Sequence, residues 1–100
     1  MAQVIYASRA FADLDWLVDF LLQAKGEASD VVQLIAEAVD VLANHPLMGR
    51  PVEQGLRELV ISQGKSGYVA LYSYEREEDV VLLLAIRHQK EAGYVHQTLL

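Results

Sequence analysis

The chain has no cysteine among its 100 residues and only two prolines. The missing thiols exclude a disulfide framework, thiol catalysis and cysteine-rich zinc sites. No run of ~18 consecutive apolar residues occurs, so no membrane span is expected. Excess positive charge is also missing: 8 Lys and Arg stand against 14 Asp and Glu, a formal net charge of −6. Residues 1–50 carry 3 basic and 7 acidic side chains, and residues 51–100 carry 5 and 7. Neither half is a basic nucleic-acid footprint, so broad electrostatic capture of DNA or RNA is disfavoured. The opening MAQVIYASRAF has no basic region and no long apolar core, so no signal peptide is expected and the expected location is cytoplasmic. What the chain does have is apolar side chain. Hydrophobic residues make up 53% and charged residues 22%, enough for one core and far from disordered composition. A single two-layer domain over residues 1–100 is the expectation.

Gln3–Ala7 is rich in β-branched and aromatic residues and reads as a strand. Ser8 stands where an N-cap belongs. From Arg9 to about Ala24 the pattern is helical, with Phe11, Leu14, Val18 and Leu21 as the apolar stripe, widened by Leu17 and Leu22. Asp13, Asp15 and Asp19 read as a solvated face. Ser29 and Asp30 open a second helix, whose apolar residues are Val31, Leu34, Ile35, Ala38 and Leu42 and whose polar ones are Gln33, Glu37, Asp40 and Asn44. Pro46 ends it. Leu47–Gly55 is a long loop. The period then changes to two: Leu56–Ser62, Tyr68–Glu75 and Val80–His88 read as strands, joined by turns at Gly64–Gly67 and Arg76–Asp79. The third of these strands is apolar without alternation, which predicts a central position with burial on both faces. The fold class is therefore α+β in two layers: an N-terminal strand at the sheet edge, an antiparallel helical hairpin on one face, and a three-stranded antiparallel meander.

Tyr68, Tyr72 and Tyr74 alternate on one side of their strand, with Val69, Leu71 and Ser73 on the other. Three tyrosines in line could stack bases, but no basic residues alternate with them, so a half-buried aromatic ladder is the preferred reading. Arg57, beside Glu58, suits an anion contact or, preferably, a structural ion pair. Arg87, His88 and Lys90, with Tyr94 beyond, form the one dense group of cations and proton donors. A histidine beside a cation and a tyrosine can perform acid–base work on a phosphodiester, and the same group also serves to solubilise a strand end. The three histidines lack metal-ligand spacing, so no metal and no cofactor are expected.

Gly49–Tyr94 resembles the C-terminal half of the RelE/ParE toxins of bacterial type II toxin–antitoxin modules, often called plasmid stabilisation proteins. The resemblance is carried by Gly55-Leu56-Arg57-Glu58-Leu59, by Ser66-Gly67-Tyr68 opening a strand that reaches Tyr72, and by an apolar strand closing on Arg87-His88-Gln89-Lys90-Glu91. Ser8–Leu14, starting a helix after a short strand, resembles the family opening. The resemblance implies a sheet backed by a helical hairpin. It also implies a cognate ParD-like antitoxin that lays helix or strand on the toxin, with DNA reached only through that antitoxin. RelE-like members cleave mRNA in the ribosome using Lys and Arg on the exposed sheet face. Here Val60, Ser62 and Val69 stand at positions where such enzymes carry cations. The ParE-like branch, which inhibits DNA gyrase by protein–protein binding, is therefore the better match. On that reading Arg57, Arg87, Lys90, Val69, Leu71 and Trp16 are the binding residues, and whether the chain is an enzyme stays open. The alternatives are a RelE-like endoribonuclease using His88 and Tyr94, and a degenerate antitoxin-binding module without toxicity.

Overall fold

A computed structural model describes residues 1–24, 28–63 and 66–88. The elements run β1 (Gln3–Tyr6), α1 (Ser8–Ala24), α2 (Ala28–Asn44), β2 (Arg50–Pro51), a 3₁₀ turn at Glu53–Gly55, β3 (Arg57–Gln63), β4 (Ser66–Glu75) and β5 (Val80–His88). They build one five-stranded mixed sheet in the order β1-β5-β4-β3-β2. The meander pairs antiparallel, and β1 pairs parallel with β5, Gln3 opposite Val80 and Tyr6 opposite Leu83. The edge position of β1 and the central position of β5 agree with the sequence. The tail beyond His88, with Lys90 and Tyr94, lies outside the described residues, as do Gly26 and the centre of the Gly64–Gly67 turn.

Four details differ from the pattern reading. Ala7, not Ser8, is the last residue before α1. Its N–H completes the strand by donating to the Leu83 carbonyl at 2.9 Å, and its own carbonyl accepts the Phe11 N–H at 3.2 Å. Strand and helix share one residue, which leaves no separate capping position. The two-residue β2 carries no periodic signal and includes a proline, tolerated because it lies at the sheet edge. The inward stripe of α1 is Ala10, Leu14, Leu17 and Val18, while Phe11 is exposed and stacks on Tyr6 with ring centroids 5.2 Å apart. Finally, β5 is fully buried on one face only.

That last difference comes from the layering. α1 packs on β5 and β1, and α2 on β1 and β3, over one face of the sheet. Ile61, Tyr68, Ala70, Tyr72, Val81, Leu83 and Ile86 meet Ala10, Leu17, Ile35, Val39 and Leu42 there. Among the described residues no second layer covers the opposite face, so Leu82, Leu84 and Ala85 stay half-buried. The apolar run in β5 has a further cause. Leu71 stands opposite Ala85 but Tyr72 opposite Leu83, so Leu84 is an extra residue, a β-bulge. One added residue reverses the alternation. Val81, Leu83, Ile86 and His88 therefore share the helix-covered face, and Ala85 and Arg87 belong to the other.

Candidate functional site

The uncovered sheet face is the broadest candidate surface. Register places Glu58 beside Leu71, and Val60 beside Val69, which is itself opposite Arg87. Leu71 neighbours Ala85, and Ile5 flanks Leu82. Val60 is 51% exposed and Ile5 is also exposed, whereas Val69, Leu71 and Leu82 are half-buried. The result is an apolar strip across β1, β5, β4 and β3, open to solvent on one side.

The cations at its margins are occupied. Arg50 Nη2 meets Glu58 Oε1 at 2.6 Å across the β2–β3 pair. The Arg87 guanidinium turns over the free edge of β5 to the carboxylate of Asp13 on α1. The other oxygen of that carboxylate accepts the Ile86 N–H at 3.0 Å. β1 ends at Tyr6, opposite Leu83, so Asp13 satisfies a strand donor that no neighbouring strand reaches. Asp13 is thus a half-buried structural group and not part of a solvated face. Its spacing, three after Ala10 and four before Leu17, places it on the flank of the inward stripe, and that was the available signal.

Arg57 donates through Nη1 to the carbonyls of Leu47 (3.2 Å) and Gly49 (2.7 Å), not to Glu58. It stands opposite Tyr72, whose ring is completely buried. Tyr72 Oη accepts the Gly49 N–H and donates to the Pro46 carbonyl, both at 2.8 Å. The tyrosine row is therefore a core ladder facing the helices, and base stacking on it is blocked. Burial pushes the Tyr68 hydroxyl above its ordinary pKa, so it stays protonated at neutral pH. Tyr74 is raised as well, first by its 2.7 Å hydrogen bond to Asp79 and then by burial.

Of the group at the end of β5, only Arg87 and His88 lie among the described residues, and they fall on opposite faces of the sheet. The bulge sends His88 to the helix-covered side, edge-on to Tyr68 with centroids 5.4 Å apart, and Arg87 to the other side. Trp16 lies 56% exposed on α1, away from the sheet strip's centre. Among the described residues no cluster of three or more His, Cys, Asp or Glu could hold a metal ion, and no helix is long and apolar enough to cross a membrane. One surface feature gave no sequence signal: a shallow depression lined by His45, Pro46, Leu47, Met48, Tyr74 and Arg76.

Residues 4–93 match the family described as "ParE toxin of type II toxin-antitoxin system, parDE". A curated protein of Caulobacter vibrioides, toxin RelE3, is 37% identical over 92 residues, spanning 91% of this chain and 98% of its own length. The toxin fold of a chromosomal ParDE system from P. aeruginosa superposes with a TM-score of 0.73 at 27% identity, covering 88% of this chain and 96% of that one. A chain of the RelBE2 toxin–antitoxin complex from Mycobacterium tuberculosis shares the fold, with a TM-score of 0.58 at 24% identity over 88% of this chain and 98% of its own.

Proposed function

The chain belongs to the RelE/ParE family of type II toxin–antitoxin toxins, and from that membership we propose a ParE-like toxin that inhibits DNA gyrase by protein–protein binding and is neutralised by a cognate antitoxin. One observation carries this reading. Val60, Val69 and Arg87 form a single row across β3, β4 and β5. In the RelE-like branch the positions of Val60 and Val69 hold cations that stabilise the transition state of RNA cleavage. Here the first two are valines and the third is neutralised by Asp13. Electrostatic stabilisation is usually the largest catalytic contribution, and this row supplies none to a phosphodiester. An apolar strip open to solvent instead supports a polypeptide contact.

Purified protein is expected to inhibit gyrase supercoiling, and induction is expected to provoke a DNA-damage response while mRNA ends stay unchanged. His88→Ala should alter toxicity less than twofold. Untouched gyrase at high excess, together with new mRNA ends that His88→Ala abolishes, would replace this reading with the endoribonuclease. Harmless induction without the antitoxin would leave the degenerate binding module.

The solved relatives are toxins of toxin–antitoxin systems, which supports an antitoxin partner here. The antitoxin would cover the strip around Val69 and Leu71 and reach Trp16, with DNA contacted only through the antitoxin. Val60 is half exposed at the centre of the β3 edge. Val60→Glu is therefore expected to weaken antitoxin binding tenfold or more by calorimetry, with an unfolding midpoint close to the parent's.

A further inference from the structure

β3 is paired along the whole of one side and only part of the other. On its inner side it meets β4 throughout, from Arg57 opposite Tyr72 to Gln63 opposite Ser66. On its outer side β2 reaches only Arg57 and Glu58. Hydrogen-bond parity fixes which backbone groups that leaves. The Val52 N–H donates to the Leu56 carbonyl at 2.9 Å, so the next bonded position of this antiparallel pair is Arg50 with Glu58. Glu58 therefore turns its N–H and carbonyl toward β2. Val60 and Ser62, further along an unbroken register, turn theirs the same way, past the end of β2. The Val60 N–H and carbonyl have no partner among the described residues, and its side chain is 51% exposed on the open face. Two comparable stretches are blocked. Asp13 occupies the Ile86 N–H where β1 stops, and Pro51 offers no N–H on the outer side of β2. Residues 59–63 hold no proline, glycine or charge.

We propose that the outer edge of β3 beyond Glu58 receives an added antiparallel strand from the antitoxin, an inference that rests on the toxin reading above and on the partner given there. A line of unpaired backbone donors and acceptors selects an extended polypeptide over any other class of ligand. Space selects a free segment over a second copy of this chain. β2 closes the edge at Glu58 and β3 ends at Gln63, so two copies share no more than residues 59–63. A two-fold pairing with Val60 opposite Val60 sets Ser62 against Glu58, a position that Arg50 already fills. The remaining one, with Val60 opposite Ser62, leaves a contact far below the about 1,200 Å² of a stable interface. A segment with no folded domain around it meets neither obstacle. Its residue opposite Val60 places a side chain on the open face, in line with Val60 and Val69, and is therefore apolar. Neither that residue nor the one opposite Ser62 is proline, since both donate to the edge.

The Val60 N–H is no part of the β3–β4 ladder, so it can be deleted without unpairing the sheet. The full chain is titrated by calorimetry with the full-length antitoxin encoded beside it. Val60→Pro is expected to raise Kd tenfold or more, with an unfolding midpoint close to the parent's. Val60→Thr keeps the donor and the β-branch and should raise Kd less than threefold. In the parent chain, hydrogen exchange at the Val60 and Ser62 amides is expected to slow at least tenfold on antitoxin binding, and this decides the matter if Val60→Pro does not fold. Parent-like affinity of folded Val60→Pro, or unchanged exchange at both amides, would overturn the added strand while leaving the toxin reading intact. Equal losses in Val60→Pro and Val60→Thr would overturn it in favour of a side-chain contact alone. Slow exchange in the free chain that is lost on dilution, with a dimer in sedimentation, would overturn it in favour of a second copy. Protection of these amides by gyrase and not by the antitoxin would overturn it in favour of the target. Failure of the parent chain to bind the antitoxin would remove the toxin reading and the site together.

Discussion

Asp13→Ala is expected to cost about 3 kcal/mol of folding stability, since one truncation strands a half-buried guanidinium and a buried strand N–H. The Asp13 side chain is 10% exposed and that of Arg87 21%, so water replaces neither partner well. The Ile86 N–H has Asp13 Oδ2 as its acceptor, and β1 is too short to offer another. For a domain of this size the loss corresponds to a fall in Tm of roughly 10–20 °C. Asp13→Asn retains an oxygen for Ile86 but no charge for Arg87, and should lose about half as much. Urea unfolding monitored by circular dichroism measures both. A cost below about 1 kcal/mol for Asp13→Ala would show that solvent already serves the β5 edge.

Gly49→Ala is expected to be at least as damaging. A Cβ built at Gly49 would lie 2.6 Å from Tyr72 Oη, 2.7 Å from Tyr72 Cε1 and 2.8 Å from the Glu58 carbonyl. Real contacts are never this close, and Tyr72 cannot retreat because its ring is completely buried between β3 and β5. Overpacking with loss of both Tyr72 hydrogen bonds costs about 3 kcal/mol or more. Tyr72→Phe alone should cost about 1–3 kcal/mol by leaving the Gly49 N–H and Pro46 carbonyl unpaired. The two changes should not add. Without the hydroxyl the new methyl loses its nearest obstacle, so the double variant should be more stable than the sum implies by about 1 kcal/mol. Strict additivity in a thermal or urea series would mean that the clash with the Glu58 carbonyl, not Tyr72, sets the cost.

These two positions show where sequence reading ran out. The helical hairpin, the meander and the bounds of β5 were legible because apolar periodicity reports directly on which side of an element is dry. Gly49 read as one loop glycine among several. Its necessity comes from Tyr72, 23 residues away in the chain, and no local pattern encodes that approach. Asp13 was grouped with Asp15 and Asp19 by charge alone, although helical geometry separates them. Arg57 reads as half of an ion pair but donates to the carbonyls of Leu47 and Gly49, because a backbone carbonyl leaves no trace in a sequence. The apolar character of the open strip was legible at Val60 and Val69. Their being neighbours was not, since that follows from the register of β3 against β4. Arg87 and His88 looked like one cluster because adjacency in sequence was taken as adjacency in space. The extra residue at Leu84 was invisible for a simple reason: in a run of consecutive apolar side chains, one more does not disturb any pattern.

That hidden residue makes β5 an indexing device. Closing the bulge without removing a residue would set Leu84 opposite Leu71, carrying His88 outward and Arg87 inward toward Tyr68, whereas excising Leu84 would keep every pairing and both orientations. The chemical character of the open surface is thus set by the local backbone register as much as by residue identity. One irregular step in the ladder thus decides whether a guanidinium or an imidazole lies on the outside of the protein.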